Sequence, residues 1–516
     1  MNFKTIRTAT VFLFILFFFS IATAKSTERV SSFREYNGYS QPVYDGWVRS
    51  SVYIPTRDGT RLAADIFRPS INGKVTDEKL PVIWTHTRYH RAFYLRGNLR
   101  TIITAFSWLE TMLRHGYVVV AVDVRGSGAS FGVYEGPFSQ KETQDAYDVT
   151  EWLAQQDWSS GKIGMFGLSY LGITQYMAAS TKPPHLKAII PEKAMFDAYS
   201  FSYPNGIFRR DFVFAWSNLV KGLPLIAPAL PVDEDKDETL YKTAQKERVN
   251  NRDVFRLGKA MPYRNSVDSV TKERLNITQS PSAFIKEINE SGVAVYTIGG
   301  WYDLWAKDAL LWFANLKTPQ RLMIGPWFHQ MAMDEYHPAE RLRWFDYWLK
   351  GIDNGITKEP RIWYYTINAT TTEKLSEDME VTGNPVANLW ISSSAQDVDF
   401  FVYLEDVDEK GVSHYVTEGV IRASHRKLSE APFNNLGLPY HRSFTGDVLK
   451  LNGSAVELVF DLHPTSYIFK TGHHIRITVT CADKDNAQTL EQNPAPTVKV
   501  YRDVVKASYV ELPLVK

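Results

Sequence analysis

The chain is 516 residues long, with 44% hydrophobic and 22% charged content, and it carries a formal net charge of +1. That length and balance describe a globular protein with more than one packed unit. With near-neutral charge and no basic run, nothing electrostatic favours nucleic acid or an anionic membrane as partner, so a small, roughly neutral substrate is the default expectation.

Residues 1–24 stand apart. Lys4 and Arg7 precede the apolar run from Val11 to Ala22, and Ala22-Thr23-Ala24 fits a small-x-small cleavage site before Lys25. The run is shorter than the ~20 residues a spanning helix needs, so the segment reads as a cleaved signal peptide and the mature protein as secreted or periplasmic, with no membrane association after cleavage. The single cysteine, Cys481, cannot form an internal disulfide and is expected in the core, within the apolar run from Ile475 to Ala482.

The stretch from Val52 to Phe67 reads as two strands joined at Asp58-Gly59, a hairpin signal. Pro81 to Thr85 is a short apolar strand running into His86-Thr87-Arg88-Tyr89-His90-Arg91. His86 and His90 are four apart, the spacing of two metal ligands on a helix, but they straddle a strand end without carboxylates or thiols nearby. The other reading of this loop makes it part of an oxyanion hole, with Tyr89 supplying a phenolic donor. A helix is expected over Thr101 to His115. Tyr117 to Asp123 is a wholly apolar strand of the kind buried on both faces of a parallel sheet. The glycine-rich loop after it, Asp123 to Gly132, fits neither phosphate-binding pattern, and Asp123 and Arg125 are expected to pair for structural reasons.

Residues 142–153 have helical periodicity, and an apolar strand then ends in Gly167-Leu168-Ser169-Tyr170-Leu171-Gly172, followed by a helix from Tyr170 to Ala179. A serine between glycines at a strand-to-helix turn is the signature of a nucleophile elbow. The second glycine stands at 172 rather than at 171. Leu186 to Pro191 is a further buried strand, and the alternation of strand and helix implies right-handed crossovers and a doubly wound parallel sheet.

Between residues 198 and 292 the alternation fails, and a helical cap inserted over the sheet is expected. Phe208, Phe212, Phe214 and Trp216 are candidates for its pocket wall or for its own core, and the acidic run Asp233 to Glu238 is read as a solvated face. The sheet resumes with Val293 to Gly300, ending at Trp301-Tyr302-Asp303, and with Arg321 to Gly325, ending at Pro326-Trp327-Phe328-His329. Trp301 joins the pocket candidates. An acid and a histidine thus follow successive strands after the serine, in the order Ser169, Asp303, His329 that α/β-hydrolases use. A linking helix, Arg341 to Lys350, leads to short β-patterned segments from about residue 360 onward, which suggest a jelly-roll β-sandwich.

With these residues together, the sequence resembles the X-Pro dipeptidyl-peptidase and cocaine-esterase-like (CocE/NonD) serine hydrolases. The resemblance rests on Arg57-Asp58-Gly59, Asp123 to Gly128, Gly167 to Gly172, Gly300-Trp301-Tyr302-Asp303, Gly325 to His329 and Trp348-Leu349-Lys350-Gly351, and later on Gly419 to Ser424 and Gly472 to Arg476. It implies an α/β-hydrolase domain over residues 48–197 and 293–355, a helical cap over 198–292 and a jelly roll over 360–516. It further implies Ser169 as nucleophile, Asp303 as acid, His329 as base, and an oxyanion hole made by the Tyr89 hydroxyl and the Tyr170 backbone N–H. No metal or organic cofactor is implied. The region 366–380 is shorter than in many members, and Gln330 stands where a small residue is frequent.

The function expected is hydrolysis of a small ester or amide, with release of Xaa-Pro dipeptides from short peptides as the alternative. From another class, an inactive scaffold could serve as a carbohydrate- or surface-binding module. A dipeptidase needs an anchor for the substrate's free amine, and the sequence identifies none. Substrate identity and homo-oligomer formation are left open.

Overall fold

The computed structural model describes residues 29–329, 337–367, 378–484 and 486–515. The signal-peptide segment, Gln330 and most of the shortened 366–380 region lie outside these described residues.

The chain builds one large mixed sheet. Its strands are β1 (Gly46–Pro55), β2 (Arg61–Ile71), β3 (Leu80–Thr87), β4 (Val118–Asp123), β5 (Ser159–Leu168), β6 (Leu186–Glu192), β7 (Ala294–Tyr302), β8 (Gln320–Phe328) and β9 (Ile362–Tyr364). The spatial order is β9-β8-β7-β6-β5-β3-β4-β2-β1, with the two-residue strand Lys74–Val75 beside β2. From β4 to β9 every pairing is parallel; β1 and β2 are antiparallel. The expected hairpin is β1 and β2, turning through Thr56 to Thr60, where the Thr56 N–H donates to the Thr60 carbonyl at 2.9 Å.

Strands β3 and β4 are buried along their whole length, which is why they read as uninterrupted apolar runs. Helices cover both faces. On one side lie α1 (Gln140–Ala154), α2 (Tyr170–Ser180), α4 (Ile285–Ser291) and α5 (Ala306–Asn315), tied together by contacts with α2 and by the stack of Tyr176 on Trp312 at 3.7 Å. On the other lies α6 (His337–Lys350), whose Phe345 packs against Gly164 of β5. The expected linking helix is therefore part of a layer of the main unit, and its aromatics Trp344 and Phe345 are core.

The chain passes from β3 to β4 on one side and then from β5 to β6 on the other, so the strand order reverses between β3 and β5. Ligands of doubly wound sheets bind outside the carboxyl ends at such a switch point. The residues that emerge there are Tyr89 and Ser169.

Several expectations are revised. The region Thr101 to His115 is two short helices, Ile102–Ala105 and Leu109–Arg114, entered from the hairpin Ala92–Leu95 and Asn98–Thr101. Asp123 and Arg125 do not pair with each other. Asp123 faces Arg91, accepting its backbone N–H at 2.6 Å, while Arg125 points away to Asp145 at 2.6 Å and Asp58 at 3.1 Å. Successive residues leaving a strand point to opposite sides, which separates the two. In the acidic run, Asp235 is buried and takes the N–H groups of Leu240 and Tyr241, so it caps a helix rather than facing water.

The insertion between β6 and β7 includes α3 (Arg210–Ile226) and roofs the switch point. After β9 the chain is all-β with antiparallel pairings: β10 (Met379–Gly383), β11 (Val386–Ser393), β12 (Asp399–Val407), β13 (Ser413–Arg422), β14 (Val456–Asp461), β15 (Thr465–Phe469) and β16 (His474–Thr480), among others. Its core is separate, built from Leu389, Phe400, Val402, Leu458 and Phe460 with their neighbours. Cys481 is exposed, against expectation. It follows β16, an edge strand whose first four residues are all exposed, so the apolar run there does not mark a core.

Candidate active site

Ser169 sits between β5 and α2 with φ 64° and ψ −124°, a conformation that costs a non-glycine residue strain and persists only when its surroundings enforce it. They do so on three sides. The Ser169 N–H donates to the Glu192 carbonyl at 2.9 Å, and the Ser169 carbonyl accepts from Gly172 and Ile173. A side chain at Gly167 would meet the Leu171 Cβ at 2.4 Å, and one at Gly172 would meet the Glu192 carbonyl oxygen at 2.7 Å. The second glycine is at 172 because that is where α2 crosses the backbone of β6.

Asp303 directly follows β7, and its Oδ1 accepts the Trp305 N–H at 2.8 Å. Its Oδ2 lies 2.6 Å from His329 Nδ1, and His329 Nε2 lies 2.9 Å from Ser169 Oγ. The three side chains thus form one hydrogen-bonded line, with the acid buried and the histidine partly open. With Nδ1–H donating to Asp303, Nε2 is left to accept the serine proton, the arrangement general-base catalysis requires.

The base is anchored by a residue no local pattern indicated. Lys193, just after β6, donates its ammonium to the carbonyls of Phe328 at 2.5 Å and His329 at 3.3 Å. Burial pushes its pKa down, opposed by Asp303 and Glu192. Glu192 is itself paired with Arg341 of α6, whose Nε donates to it at 3.0 Å.

Tyr89 follows β3 and its hydroxyl accepts the indole N–H of Trp216 at 2.9 Å. Burial pushes its phenol up, opposed by Trp216, by Ser169 and by the charge of Arg88. Tyr170 opens α2, so its backbone N–H belongs to the unpaired amino end of a helix, where partial positive charge collects. Its own side chain points down, donating to Glu142 of α1 at 2.7 and 2.8 Å.

Ser169 opens onto a cavity of about 130 Å³ between the sheet and the inserted helices. Phe138, Ile173, Phe201, Phe212, Trp216 and Trp305 are among its walls, and no charged side chain lines it among the described residues. Of the sequence candidates, Phe212 and Trp216 reach this cavity. Phe208 does not: it is buried in the cap's own cluster with Tyr199, Tyr203 and Val213. Phe214 faces solvent. Trp301 is also displaced, buried with Ala309, Leu322 and Ile324 and donating its N–H to the Tyr365 carbonyl at 2.7 Å. Its place is taken by Trp305, whose ring meets that of His329 edge-on at 5.0 Å. Four residues along, beyond the strand end, the same residue type turns toward the cavity instead of the core. His86 lies inside β3, and the His90 ring donates to the Ala227 carbonyl at 2.9 Å.

Comparison with known proteins matches two family profiles: X-Pro dipeptidyl-peptidase (S15 family) over residues 58–331, and X-Pro dipeptidyl-peptidase C-terminal non-catalytic domain over 335–506. A Mycobacterium bovis protein named as a serine esterase is 29% identical, covering 92% of this chain and 96% of its own. The cocaine esterase of a Rhodococcus species is 25% identical, covering 91% and 99%. Among solved structures, a CocE/NonD family hydrolase from Staphylococcus aureus superposes with a TM-score of 0.71 at 21% identity, covering 92% of this chain and 96% of that one.

Proposed function

Since the chain belongs to the S15 X-Pro dipeptidyl-peptidase family of hydrolases, we propose that it cleaves esters of small apolar acyl groups through an acyl-enzyme on Ser169. The observation that carries this reading is the Ser169–His329–Asp303 line opening onto a cavity that no charged side chain lines among the described residues.

A serine hydroxyl is a weak nucleophile at neutral pH. His329 Nε2 takes its proton as Oγ attacks the acyl carbon, and returns that proton to the departing alcohol. Asp303 holds the ring in the right tautomer and stabilises the imidazolium. The carbonyl oxygen, negative in the tetrahedral intermediate, is received by the Tyr89 hydroxyl and the Tyr170 N–H. Water then repeats the sequence and frees the acid. The apolar cavity holds the acyl group.

Release of Xaa-Pro dipeptides requires a counter-charge for the substrate's ammonium, and no carboxylate lines the cavity among the described residues. That favours the ester reading over the peptidase one. The leader-like composition of residues 1–24 supports a site of action outside the cytoplasm.

A fluorophosphonate probe is expected to form an adduct on Ser169, and p-nitrophenyl esters to be turned over with higher kcat/KM than Ala-Pro-p-nitroanilide. Ser169→Ala should lose both adduct and turnover. Wild-type rates in Ser169→Ala would remove the assignment, and a preference for the anilide would replace the ester reading with the peptidase one.

A further inference from the structure

The Tyr89 hydroxyl can serve an oxyanion only if its hydrogen points there. A phenolic O–H rotates about its C–O bond, so the direction must be set by what the oxygen itself accepts. Trp216 supplies that bond. An indole N–H donates and never accepts, so at 2.9 Å it occupies a lone pair of the Tyr89 oxygen and leaves the phenolic hydrogen to turn away from Trp216, within the cavity that Tyr89 and Ser169 both line.

The donor is itself held in place. The Trp216 ring stacks on that of Tyr170 at 6.0 Å with an interplanar angle of 18°, and Tyr170 is fixed from below by Glu142 and Phe138. Beyond α3, the chain is bonded to the residues that follow Tyr89. His90 donates to the Ala227 carbonyl, Leu230 N–H donates to the Ala92 carbonyl at 2.9 Å, and Arg91 donates to the Leu230 carbonyl at 2.8 Å. The cap segment and the Tyr89 loop are one bonded unit.

We propose that Trp216 is a positioning residue of the oxyanion hole: the cap, through one indole N–H, aims the Tyr89 hydroxyl at the reacting carbonyl and strengthens it as a donor. A hydroxyl that accepts a hydrogen bond donates a stronger one. Trp216 therefore does two things, walling the acyl cavity and acting on the transition state through Tyr89. The inference rests on the reading of Tyr89 as oxyanion donor given above.

Trp216→Phe keeps the aromatic wall and removes the donor. The expected result is a fall in kcat of about tenfold, the effect of one lost hydrogen bond, with KM little changed and the same factor for acetyl and hexanoyl p-nitrophenyl esters. In a Tyr89→Phe background the same substitution should cost almost nothing further, because the bond it removes is already gone. A loss of equal size in both backgrounds, or one lying in KM and growing with acyl length, would overturn the proposal and leave Trp216 as wall alone. Should Trp216→Phe fold poorly, its replacement by benzothienylalanine, which keeps the bicyclic shape without the N–H, takes the same measurements. If Tyr89→Phe alone turns over at the wild-type rate while the fluorophosphonate still labels Ser169, the Trp216 proposal falls and the hydrolase reading stands. If Ser169 is not labelled, the hydrolase reading itself has failed.

Discussion

Glu142 shows how much of the site's chemistry is decided by one buried atom. Its carboxyl sits beneath Tyr170 and accepts that residue's hydroxyl. Burial, opposed by Tyr170 and by the charge of Arg88, pushes its pKa from 4.5 to about 7. The folded chain therefore keeps a proton that the unfolded chain releases once the pH passes 4.5. With the folded value raised, the stability this proton brings is complete below about 4.5 and is lost as pH rises to about 7. Glu142→Gln retains an acceptor for Tyr170 without the titration. The difference in unfolding free energy between wild type and variant should decline across that interval and level off above it; a flat difference would show that the proton is not retained. At this scale the sequence was legible where a residue ends an apolar run, as Ser169, Asp303 and His329 do. It was opaque where the role comes from distant partners: Lys193 and Glu142 look like ordinary surface residues until the fold brings Phe328 and Tyr170 to them. Trp301 is buried rather than in the pocket because composition does not tell which way an aromatic at a strand end will turn, and for the same reason Phe208 stays open between pocket wall and cap core until the fold places it in the core.

Among the elements, α2 is tightly constrained, because its first turn crosses β6 with no room to spare. Gly172→Ala would set a methyl 2.7 Å from the Glu192 carbonyl oxygen and 3.1 Å from the Ala194 Cβ. The helix has to lift, at a cost of roughly 1–3 kcal/mol, and its amino end carries Ser169 and the Tyr170 N–H with it. Both the thermal midpoint and kcat should fall. Gly222 in α3 is the control: nothing lies within 4 Å of a side chain built there, and Gly222→Ala should raise stability by about 0.5–1 kcal/mol. A stabilised Gly172→Ala would contradict the packing described. The parallel strands were legible because burial on both faces leaves unbroken apolar runs. Strand β9 was assigned to the wrong unit because three residues carry no periodicity and its partner β8 lies over thirty residues earlier.

At the scale of the molecule, the β-rich unit is held to the hydrolase unit by the connection between β13 and β14. Phe433 in this connection meets Phe196 edge-on at 4.9 Å, and Asn434 exchanges two hydrogen bonds with Asn315 of α5 at 2.8 and 2.9 Å. Phe433 is half-buried, so Phe433→Ala should cost less than the 3–5 kcal/mol of a fully buried ring, about 2 kcal/mol. A denaturant midpoint equal to that of wild type would show that this contact does not couple the two units.

The seven residues from Arg361 to Ile367 go further. The Arg361 carbonyl accepts from Leu322 at 2.8 Å and the Tyr365 N–H donates to Ile324 at 3.0 Å, both on β8. Two residues on, the Ile367 N–H donates to Ser466 at 2.7 Å and its carbonyl accepts from Ile468 at 3.0 Å, both on β15. The stretch from Arg361 to Ile367 is thus hydrogen-bonded into the sheets of both units. The cap segment is bonded in its turn to the residues after Tyr89, through Ala227 and Leu230, so a change that shifts its seat shifts the hydroxyl it aims as well.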